Sequence, residues 1–134
     1  MITSLRTAIY TKALTVTGLN SSNFFFKKFP KSMTGYPRYY YYEIINPHSG
    51  RTTKSNFEES HIDFCLKGSD QDALEIVAKA IRAKFDNSES GFSLTDYFVL
   101  QIISKGCRDS ESFEDPVVTV NQIDIQYKFL LQQK

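Results

Sequence analysis

No uninterrupted apolar run in this 134-residue sequence exceeds four residues, as at 39–42 and 97–100. A membrane-spanning helix needs about 20 and a signal-peptide core about 7–15, so we expect neither. Cysteine is scarce. Cys65 and Cys107 have no metal-ligand or redox spacing, and two lone thiols suit a reducing cytosol better than a disulfide framework. No internal repeat, low-complexity tail or long Pro/Gly-rich linker interrupts the chain, so residues 1–134 are expected to form a single domain of common size.

The motifs of catalysis are missing too. There is no G-x-S-x-G elbow, no phosphate-cradling G-x-x-x-x-G-K-[ST], no G-x-G-x-x-G and no H-E-x-x-H. His61 and Cys65 fall on one face of an expected strand, but four strand residues separate them by roughly 13 Å. That is too far to share one metal or to pair thiolate with base. The adjacent carboxylates Glu58/Glu59 and Glu114/Asp115 read as solvated residues of strand ends or loops, because neighbours on a strand point to opposite sides. We therefore expect no enzyme, no catalytic or metal-binding residue and no cofactor.

What is present is charge polarity and aromatic residues. Residues 1–54 hold eight Lys or Arg against the single acid Glu43, about +7; residues 55–134 hold eight against fourteen acids, −6. Such polarity can steer an anionic partner or let copies meet edge to edge, unless folding interleaves the two halves. Lys27, Lys28, Lys31, Arg38, Arg51 and Lys54 are interleaved with Phe24, Phe25, Phe26, Phe29 and four tyrosines at 39–42. Aromatic residues beside bases are what single-strand nucleic-acid binders use. The near-neutral total and the lack of a recognised nucleic-acid motif count against that alternative.

The pattern along the chain is legible as element order. Leu5, Ala8, Ile9 and Leu14 predict a helix over 4–16, stopped by Gly18. The Phe24 region can add a short strand. Tyr36-Pro37 opens a strand through 39–45, and the polar stretch 46–56 is expected to be a mobile loop. Residues 57–67 alternate, with Ile62, Phe64 and Leu66 on one side and His61, Asp63 and Cys65 on the other. Gly68 ends that strand, and Ser69 is the expected cap of a helix over 70–85 with the stripe Leu74, Val77, Ala78, Ile81 and Phe85. Strands follow at 97–105, with Phe98, Leu100 and Ile102 on one face, and at 117–131, where a bulge near Asn121 would reconcile Val118 and Val120 with Ile123, Ile125, Tyr127 and Phe129. The stretch 105–116 is expected to be an exposed acidic connection. The class is α+β: a mostly antiparallel sheet of four to five strands with two helices, order α-β-β-α-β-β.

The succession of the short N-terminal helix, Tyr36-Pro37-Arg38-Tyr39-Tyr40-Tyr41-Tyr42, a polar loop, ESHIDFCLKG, DQDALEIVAKAIRAKF, YFVLQIISKG and QIDIQYKF resembles the tail terminator and tail completion (tail-to-head joining) proteins of long-tailed bacteriophages. The resemblance spans nearly the whole chain and is one of element order and texture. It implies a subunit that assembles in the host cytoplasm into a ring, typically a hexamer, in the tail and neck of the virion. Its partners would be a tail-tube protein and a head-completion (stopper) protein, with DNA passing through the lumen without sequence readout. It places His48, Arg51 and Lys54 near the lumen or a neighbouring subunit. The FFFKKF segment departs from the family's pattern and makes Phe24, Phe25, Phe26, Lys27 and Lys28 a candidate docking surface; Tyr39 and Tyr41 are candidates for an interface strand. Alternation puts Tyr39 and Tyr41 on one face and Tyr40 and Tyr42 on the other.

Overall fold

The computed structural model describes residues 2–44 and 57–134. The expected loop residues His48, Arg51 and Lys54 lie outside the described residues. The elements are α1 (Thr3–Ala13), β1 (Phe24–Phe26), β2 (Arg38–Glu43), β3 (Phe57–Gly68), α2 (Gln71–Phe85), β4 (Tyr97–Ser112) and β5 (Val120–Gln133), with a 3-10 turn at Glu89–Gly91. This is the expected α+β class. The strands form one sheet in the order β1-β2-β3-β5-β4, antiparallel except for the parallel pairing of β1 with β2.

Helix α2 forms where the 3.6-residue stripe requires it. Leu74, Val77, Ala78, Ile81 and Phe85 are its buried residues, while Arg82 and Lys84 oppose the negative end of the helix dipole. Its cap is Asp70 and not Ser69: the Asp70 carboxylate accepts from the amides of Asp72 and Ala73, satisfying donors that the helix leaves free. Helix α1 is shorter than its apolar spacing predicts. It ends at Ala13, and Val16 and Leu19 are buried in the turns that follow. Gly18, at φ +98°, makes that exit possible, since a Cβ there would lie 3.1 Å from Val77 Cγ2.

The helices cover one face of the sheet, and aromatic residues fill the space between. Phe24, Tyr41 and Phe64 come from β1, β2 and β3, with ring centroids 5.0 Å and 6.0 Å apart in succession. Phe64 meets Phe85 of α2 at 4.9 Å, and Phe85 meets Tyr127 of β5 at 6.0 Å. Tyr10 of α1 stacks on Phe24 at 5.9 Å. Each such pair contributes about 0.5–1.5 kcal/mol beyond its buried area. Tyr127 remains compatible with this interior because its hydroxyl donates to Asp86 at 2.6 Å.

The last two strands depart from expectation. Strand β4 runs on to Ser112, because β5 supplies ladder partners out to the pair Ser112 and Val120. The bulge expected near Asn121 is absent: β3 and β5 stay in unbroken register from Phe57 opposite Gln132 to Gly68 opposite Asn121. The irregularities lie in β4, between Val99 and Gln101 and between Ser104 and Gly106. The first reverses the side-chain phase, so Ile102 is buried while Phe98 and Leu100 are exposed. Gly106, at φ +106°, sits in the second.

Candidate interaction surfaces

Among the described residues the sheet's other face carries no helix. Register brings Tyr40 and Tyr42 of β2 beside Cys65 and Asp63 of β3, which in turn face Asp124 and Gln126 of β5. The Tyr40 and Tyr42 rings stack at 6.0 Å. Although open to one side, this face buries two carboxylates: Asp63 is 3% exposed and Asp124 2%. Tyr42 donates to Asp63 Oδ2 at 2.9 Å, while the buried Oδ1 has no hydrogen-bond partner among the described residues. Burial first, and the nearby Asp124 charge second, push the Asp63 carboxyl up to about 6. Gln122 donates to both Asp124 oxygens, at 3.1 Å and 2.9 Å, and the Arg108 guanidinium stands 3.7 Å away.

Sequence reasoning did not pair these acids. Each follows an isoleucine on an alternating strand, in His-Ile-Asp-Phe and Gln-Ile-Asp-Ile; only the β3–β5 register makes them diagonal neighbours. His61 and Cys65 share this face as expected, with Asp63 between them on β3. Cys65 is buried, and burial pushes its thiol up to about 12, the opposite of what a nucleophile needs. His61 lies 3.6 Å from Glu59 and 3.1 Å from Lys105 Nζ.

At one end of this face the β4–β5 connection folds back over the sheet. Glu114, expected to be solvated, is its anchor: it accepts from Lys67 Nζ at 2.8 Å and from the Tyr36 hydroxyl at 2.8 Å, with Arg38 at 3.8 Å. Partial burial raises the Glu114 carboxyl, but the Lys67 and Tyr36 bonds and the Arg38 charge outweigh that and hold it below the usual range. Arg38 in turn lies over the Tyr36 ring at 4.4 Å and the Phe29 ring at 5.3 Å. Next to the anchor, Asp115 Oδ1 accepts from the amides of Val117 and Val118, at 2.9 Å and 3.2 Å, fixing a tight turn. Two large apolar side chains project from this held tip, Phe113 at 89% exposed and Val117 at 88%. Phe113, expected in an exposed connection, and Val117, expected at the start of the last strand, both lie outside the strands, because β5 begins only at Val120.

A groove opens at the opposite face, between α1 and β1, with a volume of about 360 Å³. Tyr10, Phe24, Phe26 and Tyr41 line it, and Arg6 lies 5.1 Å over the Phe26 ring with Lys27 at 5.7 Å. The expected docking residues Phe24–Phe26 thus form a strand whose first residue is buried, while Lys27 and Lys28 stay exposed beside it. Tyr39 and Tyr41 are buried in the core of the chain itself. The tyrosines that β2 can offer a neighbour are therefore Tyr40 and Tyr42. The rings of Phe24, Tyr41 and Phe64 stack on one another, which leaves them unavailable as a platform for bases.

Among the described residues no helix is long and apolar enough to cross a membrane. No protein-family model matches the sequence, and no curated protein matches it. The fold has a counterpart nonetheless. The chain is similar to a chain of a solved structure described as "Virion of native gene transfer agent (GTA) particle", with a TM-score of 0.72 at 9% identity, covering 96% of this chain and 95% of that one. At that identity the likeness is one of fold, carried over nearly the full length of both chains.

Proposed function

We propose that this chain is a structural subunit of a phage-like virion and not an enzyme. The observation that carries the reading is the end-to-end fold likeness to a chain of a gene transfer agent particle. Within that class, the role that fits best is completion of the tail and its joining to the head connector. Copies form a ring, a hexamer in the simplest case, around the path of the DNA. A tail-tube protein lies on one side and a head-completion protein on the other.

The physical features support such a subunit. A ring requires heterologous contact, in which one surface of a copy meets a different surface of the next. The chain offers distinct surfaces for this: a tyrosine-bearing sheet face, a held apolar tip and an aromatic groove edged by bases. Tyrosine suits such contacts, being apolar in body and polar at its end. Any attraction to DNA would be of the phosphate kind, through the basic first part of the chain and without base readout.

Electron microscopy of particles from a mutant lacking this protein tests the role. The expected result is separate heads and tails, with tail length unregulated if the ring also caps the tube. Tails of normal length already joined to heads would refute it.

A further inference from the structure

The charge polarity of the sequence survives folding as a polarity of the sheet, whose two margins are β1 and β4. At the β1 margin, Arg6 and Lys27 both lie over the Phe26 ring, at 5.1 Å and 5.7 Å from its centroid. Leaning on one ring fixes where the two charges stand. Both are exposed, and neither has a carboxylate partner among the described residues. Of the described bases in 2–44, Arg38 alone meets an acid, Glu114.

The β4 margin carries the opposite sign. Asp109 and Glu111 are exposed and have no cationic partner among the described residues. Register sets Asp109 opposite Ile123 and Glu111 opposite Asn121, so both point to the helix-bearing face. Phe26, beside Tyr41, points to that face as well. Asn121 donates to the Ser69 carbonyl at 3.4 Å, which brings the start of α2 and the exposed Asp72 to the same end of β4. Four strand spacings of about 4.8 Å put the margins roughly 19 Å apart. That is beyond the reach of an ion pair, so the two sets of charges meet only between molecules. Duplex DNA fits the basic margin less well, since the acidic margin repels it and the net charge is only +1. A second copy matches both margins at once.

We propose that the basic β1 margin of one copy packs against the acidic β4 margin of the next, with Arg6 and Lys27 facing Asp109 and Glu111. The contact is heterologous and leaves one margin of each sign free at the ends, so it propagates into a closed ring or a filament. Exposed ion pairs set the sense and orientation of such a contact more than its strength. The choice of a second copy as occupant rests on the reading of the chain as a ring subunit.

Charge exchange tests it. Arg6→Glu/Lys27→Glu makes both margins acidic and Asp109→Lys/Glu111→Lys makes both basic, all at exposed positions. In sedimentation velocity the wild type should associate with rising concentration, at least about tenfold more weakly in about 0.5 M salt than in about 0.05 M. Each variant alone should associate at least about tenfold more weakly than the wild type, and the two mixed should associate again. The chain carrying all four substitutions keeps the net charge of +1 and should also associate, which separates the margins from overall charge. A carbodiimide, which joins amine directly to carboxylate, should link Lys27 of one copy to Asp109 or Glu111 of another. The proposal is overturned by a wild type that is monomeric at about 1 mM, a two-substitution variant that associates like the wild type, a fourfold variant that does not associate, or Lys27 links elsewhere. Binding of a duplex of about 20 base pairs that Arg6→Glu/Lys27→Glu abolishes, with self-association intact, would overturn it in favour of DNA. Particles that take up either two-substitution variant in normal amount would overturn this contact while leaving the virion role intact. Copies that pair as stated but are absent from particles would have the reverse meaning.

Discussion

Replacing Asp63 by asparagine should stabilise the protein, although it removes a charge from a hydrogen-bonded site. The carboxyl is buried, its Oδ1 has no hydrogen-bond partner among the described residues, and Asp124 is a second carboxylate nearby. Its value rises from the ordinary 3.8 to about 6. The folded chain therefore holds this proton more tightly than the unfolded chain does. The contribution of Asp63 to stability is greatest below about pH 4, falls as pH rises to about 6, and is constant above that. About two pH units at roughly 1.4 kcal/mol each sets an upper bound of about 3 kcal/mol for the charge at neutral pH. Asp63→Asn keeps an acceptor for the Tyr42 hydroxyl and puts a donor near Asp124. We expect a gain of about 1–3 kcal/mol at pH 7.5 and little gain at pH 4, read from urea denaturation with the slope unchanged. Equal destabilisation at both pH values would show that the carboxylate is well accommodated, and the reasoning would fail.

Two further perturbations address other parts of the fold. Glu114→Gln should release the tip: with the Glu114 side chain 32% exposed, the loss is about 0.5–1 kcal/mol, seen as amide exchange across 113–119 faster by roughly two- to fivefold. Because the Glu114 carboxyl is held below its usual range, that stabilisation is full above about pH 4.5 and disappears as pH falls through its folded value. Phe64→Ala, at the crossing of the Tyr41, Phe85 and Tyr127 rings, should cost about 3–5 kcal/mol in the same denaturation assay.

Helix α2 and the paired faces of β3 were readable in the sequence because a single period runs through each without interruption. All five residues of the α2 stripe are buried. The failures are equally local. Gly-Cys-Arg-Asp-Ser-Glu-Ser at 106–112 is a poor strand on composition and becomes one only because β5 offers it a ladder. Phe98, Leu100 and Ile102 alternate perfectly on paper, yet one bulged residue turns the first two outward. Aspartate displaced serine as the α2 cap by a single position, a shift within the usual uncertainty of helix ends. The candidate surfaces were the least legible. Lys67 and Glu114 stand 47 residues apart, and Asp63 and Asp124 meet only through strand register, so no local pattern announces either. The aromatic residues of 24–42 were visible from the outset; that most of them face each other required the packing.

The two bulges of β4 bear on how copies of this chain can meet. Among the described residues the sheet ends in a three-residue strand on one side and, on the other, in a strand whose ladder is interrupted twice. Neither margin is a straight rail on which another backbone could zip for long, the geometry by which sheets template runaway fibrous growth. In the ring proposed above, copies would then recognise each other through side chains, whose shapes specify an angle as well as an affinity. An angle repeated from copy to copy fixes a number, and the ring subunit proposed above would need that more than it needs adhesion.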